Sequence, residues 1–525
     1  MHVAANQGTP YLYLLIAASI VAIVARRIRA PYALALVVFG LVLGLPGLLP
    51  TVRLVPQVLF TVFLPPLLFE SAINLRADAL RREWKPITLY SLAVTILSTF
   101  IIGYLAAWIL HLPIRAALVF GALISATDPI SVIAVFKQLG ANPRLTLLMD
   151  AEALFNDGVA VVLFTVLLEA ATGRQATVAD GLLRFAVNGV GGVGIGALIG
   201  YLAARATRHF DDHLLEITLT TIVAFGSYLA ADTLGVSGVL SVIAAGLVIG
   251  NYGMKTSMSA TTRLAVSAFW EYAAFAVNSV VFLIVGIEEA NAGLIHALPT
   301  VLLAAFVVLC GRVAVYPVSF VANRLHCEIP ARFQHVLVWG GLRGALSMAL
   351  ALGLPPDFPH RETIVTATFG AVLFSLLAQG LTIGPLLSRL GLTRAGTGNR
   401  RREVGRLLVQ QVANDAALEE LERVSVSGEI PAWSVDSLRH EYVARAAALT
   451  HALSEADAGD AAPPEGAAAV SPFEYTRRLR RKILTAERAA LSESRHNDAI
   501  DHDALNEGIA RIDAQLLAQS PDPPG

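Results

Sequence analysis

Phe155-Asn156-Asp157-Gly158 places a carboxylate in the middle of an apolar run, residues 145–168, that is long enough to cross a bilayer. Because hydrocarbon does not solvate an ionised aspartate, such a residue is costly and is usually functional. The preceding apolar run contains a second carboxylate, in Ser125-Ala126-Thr127-Asp128-Pro129, beside a proline that breaks helices. Two intramembrane acids on adjacent spans, one of them at a broken helix, indicate a pathway for cations.

The composition is that of a polytopic membrane protein. Of 525 residues, 55% are hydrophobic and only 15% are charged, and the mean hydropathy is +0.63. A soluble domain averages about 25% charged residues. We therefore predict an all-α protein whose partners are the lipid bilayer and small ions, with no nucleic acid among them.

Apolar runs of about 17–25 residues are the units from which membrane spans are counted. Thirteen spans are predicted, at 11–28, 32–49, 55–74, 87–110, 115–136, 145–170, 183–205, 214–232, 236–251, 264–287, 296–322, 331–353 and 362–390. Basic residues are concentrated in alternate loops, including 26–29, 76–85 and 137–144, and cytoplasmic loops carry such an excess. This pattern places the N-terminus outside and the C-terminus in the cytoplasm.

After the last span the sequence changes to mixed helical segments. Residues 399–424 and 435–454 have apolar side chains at helical spacing among charged ones, whereas 456–472 is rich in Ala, Pro, Gly and Asp, which is typical of a flexible linker. The predicted domains are a transmembrane domain, 1–392, and a helical cytoplasmic tail, 393–525. A regulatory or assembly role for the tail and a merely solvated appendage are equally compatible with the sequence.

Asp157 is the first candidate for binding a transported ion. Desolvation penalises its charged form, so either a proton or a small cation can neutralise it, but hardly both at once. That mutual exclusion is all that an exchanger requires. The alternative is an aspartate that pairs with a basic residue to hold the helices together. Gly158 and the apolar run beyond it leave room for an ion, which favours binding.

Thr127-Asp128-Pro129 forms the second element of the candidate site. Pro129 removes a backbone donor, so the helix is expected to unwind, and unwound backbone in a membrane has to line a cavity or be buried in protein. Freed carbonyls and the Thr127 hydroxyl are hard oxygen ligands suited to an alkali cation. Asp128 either joins that coordination or neutralises the partial positive charge of an exposed helix N-terminus. The sequence favours neither role.

A matching break is predicted in the twelfth span, at Gly340-Gly341-Leu342-Arg343-Gly344. A glycine cluster alone would more often indicate close helix packing. The intramembrane arginine within it favours a functional crossing instead. A pair of broken spans in corresponding positions of two halves points to a transporter built from inverted repeats.

The remaining buried charges need partners. A buried unpaired charge is so costly that we expect Glu152 to bridge Arg312 or Arg343. We favour Arg312, which leaves Arg343 near Asp128 at the crossing. Glu70, deep in the third span, is interpreted equally well as an ion ligand or as a residue of the access funnel.

These motifs together resemble the monovalent cation:proton antiporter-1 family, which includes bacterial sodium/proton antiporters of the NhaP type and the animal sodium/proton exchangers. The resemblance covers roughly residues 11–392. It implies thirteen helices in an inverted repeat, a homodimer, and an elevator-like movement of a core against a dimerisation domain. Spans four to six and eleven to thirteen would form the core. The family type and the compact loops also imply a bacterial inner membrane, and no cofactor is expected.

Carried over residue by residue, the resemblance makes Asp157 the carboxylate that binds the cation and carries the proton, with Asn156 beside it. Thr127 and Asp128 would shape the crossing, and Asp157 with Thr127 would hold the transported Na⁺. Glu152 would pair with the arginine matching Arg312. An asparagine before the essential aspartate, in place of a second aspartate, goes with electroneutral exchange of one cation for one proton.

One departure from the family pattern follows Glu152, where the family commonly has serine and this chain has Ala153. If that serine hydroxyl contacts the ion, this site has one oxygen ligand fewer, which makes K⁺/H⁺ exchange the nearest rival to Na⁺/H⁺ exchange. A cation channel with a gating tail and an ion sensor that signals through its tail are further alternatives. Isolated midplane charges between broken helices favour an antiporter over a continuous pore. We find no nucleophile–base pair or metal cluster in the sequence that would indicate an enzyme.

Overall fold

The structure is a computed structural model that describes most of the chain. The described residues are 32–44, 58–128, 130–173, 178–207, 212–254, 258–291, 294–393, 397–427, 432–458, 483–491 and 508–513, with short stretches between 16 and 27 and single positions at 505 and 515. Much of the first predicted span, 11–28, and Pro129 at the predicted break lie outside them.

Regular structure over the described residues is helical, which confirms the predicted all-α class. The helices are α1 (Tyr32–Gly44), α2 (Leu59–Asn74), α3 (Ala77–Arg82), α4 (Trp84–Ile109), α5 (Ile114–Ser125), α6 (Ile130–Leu139), α7 (Pro143–Ala171), α8 (Val178–Ala206), α9 (His213–Thr233), α10 (Gly238–Gly253), α11 (Ala260–Asn291), α12 (Leu294–Arg312), α13 (Val315–Arg324), α14 (Ala331–Trp339), α15 (Ala345–Leu352), α16 (Arg361–Arg389), α17 (Thr397–Ser427) and α18 (Ala432–Ala458). A helix satisfies its own backbone hydrogen bonds, which is what hydrocarbon surroundings demand.

Seven helices in the described part of the chain are long and apolar enough to cross a membrane. They are α4, α7, α8, α9, α11, α16 and the unit formed by α12 and α13. The shorter apolar helices α1, α2, α5 and α10 occupy further predicted spans. Each predicted span from the second to the thirteenth therefore coincides with one helix or with a pair of helices.

Both predicted discontinuous helices are present. Residues 126–128 are non-helical and lie between α5 and α6, and residues 340–344 separate α14 from α15. The two non-helical segments meet, because the backbone N–H of Asp128 donates a hydrogen bond to the carbonyl of Leu342 at 2.9 Å. Backbone that leaves the helical conformation inside a membrane protein has to be buried or line a cavity. The crossing of the two segments is therefore the first place to look for a site.

Close packing holds the first break in position. Gly121 of α5 faces the backbone of α4 so closely that a Cβ on this glycine would overlap the carbonyl oxygen of Thr99. Small residues allow such close approach between helices in a membrane, where van der Waals packing drives association. Because α4 also packs against α7, these three helices place the middle of α7 directly behind the break.

The chain divides into two compact units, Met1–Thr393 and Arg394–Gly525. In the second unit α17 and α18 pack against each other. Their apolar cluster comprises Ala417, Leu421, Val424, Val435, Leu438, Tyr442 and Ile483. Of the predicted linker, residues 456–458 form the end of α18, and the remainder lies outside the described residues.

Candidate functional site

Asp157 lies in the middle of α7, on the wall of a cavity of roughly 50 Å³. The polar side chains that line this cavity are Ser71, Thr127, Asp128, Asp150, Asp157, Asn278 and Ser347. A single water-sized sphere occupies roughly 10–15 Å³, so there is room for a small cation with part of its hydration shell. Three carboxylates on the wall favour a cation over an anion.

Asn156 lies next to Asp157 but is turned into the protein, where only 1% of it is exposed. Its side-chain amide donates to the carbonyl of Ser125 and to the hydroxyl of Thr127, both at 3.1 Å. Its side-chain oxygen accepts a hydrogen bond from the Thr95 hydroxyl at 2.9 Å. Asn156 therefore joins α7 to the first break and to α4, and it is not among the residues that line the cavity.

Thr127 and Asp128, in the first break, line the cavity together with Asp157. The backbone N–H of Thr127 is directed at the Asp157 carboxylate. The Asp128 carboxylate packs against Gly344, where a Cβ would collide with it. Because Gly344 immediately precedes α15, this carboxylate lies beside a helix N-terminus, whose unpaired N–H groups carry partial positive charge. The position of Asp128 is compatible with both roles that the sequence left open.

Arg343, in the second break, is completely buried and reaches across to the first. Its Nη1 donates to the carbonyls of Ser125 at 2.9 Å and Ala126 at 3.1 Å. These carbonyls stand at the C-terminal end of α5, where backbone acceptors lack helical partners and the helix dipole is negative. The guanidinium therefore caps α5. Its own backbone N–H donates to the Ser375 hydroxyl at 3.0 Å, which ties the break to α16.

Of the two candidate arginines, it is Arg312 that contacts Glu152. Nη1 of Arg312 and Oε1 of Glu152 are 2.9 Å apart, with only 2% and 3% of the two side chains exposed. Arg312 also donates to the carbonyl of Leu337, near the C-terminal end of α14. A Cβ on Gly341 would overlap the Arg312 guanidinium. The ion pair thus links α7, α12 and the second break.

Glu70 lies near the cavity without lining it. Its carboxylate accepts a hydrogen bond from Asn74 on the same helix at 2.9 Å, whereas the neighbouring positions Leu67 and Ser71 face the cavity. Glu70 is within electrostatic reach of Asp150 and of Lys137, at the end of α6. This placement puts Glu70 on the side of the cavity nearest a loop that the charge pattern assigns to the cytoplasm.

Four polar cavity residues were missed by sequence reasoning: Ser71, Asp150, Asn278 and Ser347. Asp150 precedes Asp157 by seven residues, which is two helical turns and hence the same helix face; that spacing was a usable signal. Asn278 is a polar residue inside the tenth predicted span and offered a weaker one. Ser347 had none, since serine is common in membrane helices and usually bonds to its own backbone.

Oxygen atoms from carboxylates, hydroxyls and an amide surround the cavity, and hard cations prefer such ligands. In the part of the chain that the structure describes, no group of three or more His, Cys, Asp or Glu residues is arranged to hold a metal ion. Asp157 and Thr127 are the predicted ligands whose atoms lie together on its wall.

Known proteins resemble this chain over most of its length. The family model described as sodium/hydrogen exchanger, transmembrane, matches residues 14–389. The Na⁺/H⁺ antiporter NhaG of Bacillus atrophaeus is 40% identical over 435 residues, which cover 79% of this chain and 80% of NhaG. The Na⁺/H⁺ antiporter NhaS2 of Synechocystis sp. is 34% identical over 513 residues, which cover 97% of this chain and 93% of NhaS2.

A solved structure has a similar fold. The sodium proton antiporter MjNhaP1 from Methanocaldococcus jannaschii, determined at pH 8, superimposes with a TM-score of 0.64 over 74% of this chain and 99% of the other. Sequence identity in this superposition is 21%, so the comparison supports the fold and carries no residue-level role.

Proposed function

The chain belongs to the sodium/hydrogen exchanger family, and from this membership we propose that it is a secondary active antiporter that exchanges Na⁺ for H⁺ across the cell membrane. The observation that carries the proposal is the position of Asp157. Its carboxylate faces a cavity of ionic dimensions beside the crossing of two broken helices. Such broken-helix crossings are where secondary transporters bind their ions.

We propose that Asp157 binds Na⁺ and H⁺ in competition. With either one bound, the carboxylate is neutral and can move between the two sides of the membrane. When it is empty and charged it crosses poorly, because an uncompensated charge in a low-dielectric interior is expensive. That penalty couples the two fluxes. Since one carboxylate takes up one cation or one proton, and the Asn156 amide is neutral, the exchange is proposed to be electroneutral.

Buried polar contacts support a rigid core made of α4–α7 and α12–α16. Besides the Asn156 and Arg343 contacts, the Ser98 hydroxyl of α4 donates to the carbonyl of Gly311 in α12 at 2.8 Å, and the Tyr90 hydroxyl bonds to Ser319 of α13. Breaking such bonds inside a membrane protein is costly. These helices are therefore proposed to move together.

The opposite wall of the cavity is mostly apolar. It is formed by α2, whose Leu64, Leu67 and Leu68 face the cavity, and by α11. Leucine side chains can slide past a neighbour without losing specific hydrogen bonds. We propose that the core moves against α2 and α11 like an elevator, which exposes Asp157 first to one side and then to the other. The remaining helices are proposed to form the contact of a homodimer in a bacterial inner membrane, with the N-terminus outside and the C-terminus in the cytoplasm.

A specific observation keeps K⁺ as a second candidate ion. Ala153 lies in a crevice next to the cavity, lined also by Thr127, Asp128, Glu152 and Arg312. A methyl group provides no ligand there, so a cation with a smaller dehydration cost than Na⁺ would lose less. Exchange assays therefore need to compare both cations.

The proposal is tested with purified protein in sealed liposomes containing a pH-sensitive dye, to which Na⁺, K⁺ or Li⁺ is added in turn. Wild-type protein is expected to move protons when Na⁺ is added, also with the membrane potential clamped at zero. Asp157→Asn, which keeps the volume of the side chain but cannot ionise, is expected to abolish the response. Asp232→Asn, a matched change at an exposed aspartate, is the control and should leave it intact.

Each alternative predicts a different result in this assay. A response to K⁺ alone would mean that the transported cation is K⁺ and not Na⁺. A cation current without proton movement would indicate a channel. Equal signals from Asp157→Asn and wild type would remove Asp157 from the mechanism. Truncation after Thr393 addresses the sensor alternative, because an antiporter is expected to keep exchanging ions without its tail.

A further inference from the structure

We propose that the hydroxyl of Ser347 is an oxygen ligand of the transported cation, supplied to the Asp157 cavity by the second broken helix. The proposal rests on the proposed antiport function and adds to it the part of the protein that completes the ion's coordination. It assigns α15 a direct role in binding, in addition to its part in shaping the crossing.

Ser347 stands on the cavity wall with its oxygen unused. The residue lines the same cavity as Asp157 and Thr127, and 0% of its surface is exposed. Among the residues that the structure describes, none forms a hydrogen bond with its Oγ. Since buried hydroxyls are nearly always hydrogen-bonded, an unpartnered one facing a cavity needs an explanation.

The local backbone explains why this serine has no partner. Buried hydroxyls within a helix commonly donate to the carbonyl four residues earlier, as Ser319 does to Val315 at 2.6 Å and Thr368 to Ile364 at 2.7 Å. Ser347 lies in the first turn of α15, which begins at Ala345. Four residues earlier the chain is still in the non-helical break, so no helical carbonyl is available. A ligand in the cavity would give the hydroxyl its partner.

The charges around Ser347 also suit a cation. A helix N-terminus on its own would repel one. Here the Asp128 carboxylate packs against Gly344 at the start of α15 and offsets that partial positive charge. On α7 the position after Glu152 is Ala153, which offers no side-chain oxygen. No hydroxyl from α7 lines the cavity, and Thr127 and Ser347 provide hydroxyls from the two broken spans.

The test measures cation binding separately from transport. Purified protein in detergent is heated at a series of Na⁺ concentrations, and the concentration that gives half of the maximal rise in unfolding temperature reports the affinity. Ser347→Ala is expected to raise this concentration about tenfold, and the apparent KM for Na⁺ in liposomes by a similar factor, with the maximal rate largely kept. Ser347→Thr restores a hydroxyl and is expected to recover most of the affinity.

Ser241→Ala serves as the matched control, because Ser241 is equally buried but donates to the Ser227 carbonyl away from the cavity. It should leave the half-maximal Na⁺ concentration unchanged. If Ser347→Ala leaves that concentration unchanged, or lowers only the maximal rate, Ser347 is not a ligand. If Na⁺ stabilises wild type but not Asp157→Asn, and no exchange occurs, the transport proposal fails while the Ser347 result is still decided by binding. If no cation stabilises wild-type protein, both proposals are wrong.

Discussion

The two broken spans cross at one point, yet they contribute opposite charges to it. The first break carries a carboxylate, Asp128, and the second carries a guanidinium, Arg343. Each charge serves the helix end that belongs to the other break: Arg343 caps the C-terminal end of α5, and Asp128 lies against the N-terminal end of α15. A single broken span would have had to neutralise its own exposed ends.

Asp157 differs from the other buried charges in its surroundings. Arg343 caps α5, Asp128 packs against Gly344 before α15, and Glu152 is paired with Arg312. Asp157, in contrast, lies on an unbroken helix and faces the cavity. In the proposed mechanism, the carboxylate that changes its charge in every cycle is thus separate from the charges that hold the crossing together.

The largest expected effect comes from breaking the Glu152–Arg312 pair. Arg312→Met leaves a carboxylate buried without a partner, which is expected to cost about 3–5 kcal/mol of stability. The double variant Glu152→Gln/Arg312→Met should recover part of that loss, but not all, because the hydrogen bond to the Leu337 carbonyl is also gone. Both effects are measured as changes in the free energy of unfolding, obtained by titrating each variant with a denaturing detergent.

The matched control for this prediction is the exposed pair Arg184–Glu169, whose side chains are 46% and 37% accessible at a separation of 3.2 Å. Arg184→Met is expected to cost less than about 1 kcal/mol, since solvent screens such pairs. Equal losses from Arg312→Met and Arg184→Met would show that the buried pair does not hold the core together.

Arg343→Met is expected to have the next largest effect. It leaves the Ser125 and Ala126 carbonyls without their charged donor, at a cost of about 2–3 kcal/mol, since hydrogen bonds to charged groups are the stronger kind. Arg343→Lys keeps the charge but not the planar guanidinium, and should recover only part of the stability. If Arg343→Met unfolds and transports like wild type, the capping of α5 by the second break is not needed.

Those features that depend on local sequence signals could be predicted from the sequence. Composition and run length predicted an all-helical membrane protein, and a proline or a glycine cluster inside an apolar run predicted each broken helix. Both breaks lie where expected because proline and glycine disrupt helical backbone whatever surrounds them. These signals needed no knowledge of which helices are neighbours.

The rest depended on tertiary packing. That Arg343 caps α5 follows from the relative positions of two segments more than 200 residues apart in sequence, and the sequence offered only the expectation that it lies near Asp128. Ser347 and Asn278 reach the cavity because α15 packs against α7, and α11 packs against α15 and α2. The role assigned to Asp157 is tested by the liposome assay described above, and the roles assigned to Thr127 and Glu70 stay predictions.

A smaller effect is expected when the contact between the two breaks is made too tight. Gly344→Ala places a methyl group on the Asp128 carboxylate, and overpacking of this kind costs about 1–2 kcal/mol. Because the carboxylate must shift, exchange should slow more than stability falls. Gly226→Ala is the control, since a Cβ there meets its nearest neighbour at an ordinary 4.0 Å. Similar exchange rates in both variants would mean that the Asp128 side chain can shift without slowing exchange.

The smallest expected effect concerns the carboxylate that lies on the face of Asp157 but takes no part in the crossing. Asp150 lines the cavity two turns away, on the side of Glu70 and Lys137. Its charge should raise the local concentration of cations, so Asp150→Asn is expected to raise the apparent KM for Na⁺ roughly threefold at low ionic strength without changing the maximal rate.

Two comparisons sharpen this last prediction. High ionic strength, set with a cation that is not transported, should shrink the effect of Asp150→Asn, because salt screens attraction at a distance but not direct coordination. Asp150→Glu keeps the charge and should behave like wild type. An effect as large as that of Asp157→Asn, and independent of salt, would instead make Asp150 a direct ligand. The cation would then be bound by two carboxylates, Asp157 and Asp150, and not by Asp157 alone.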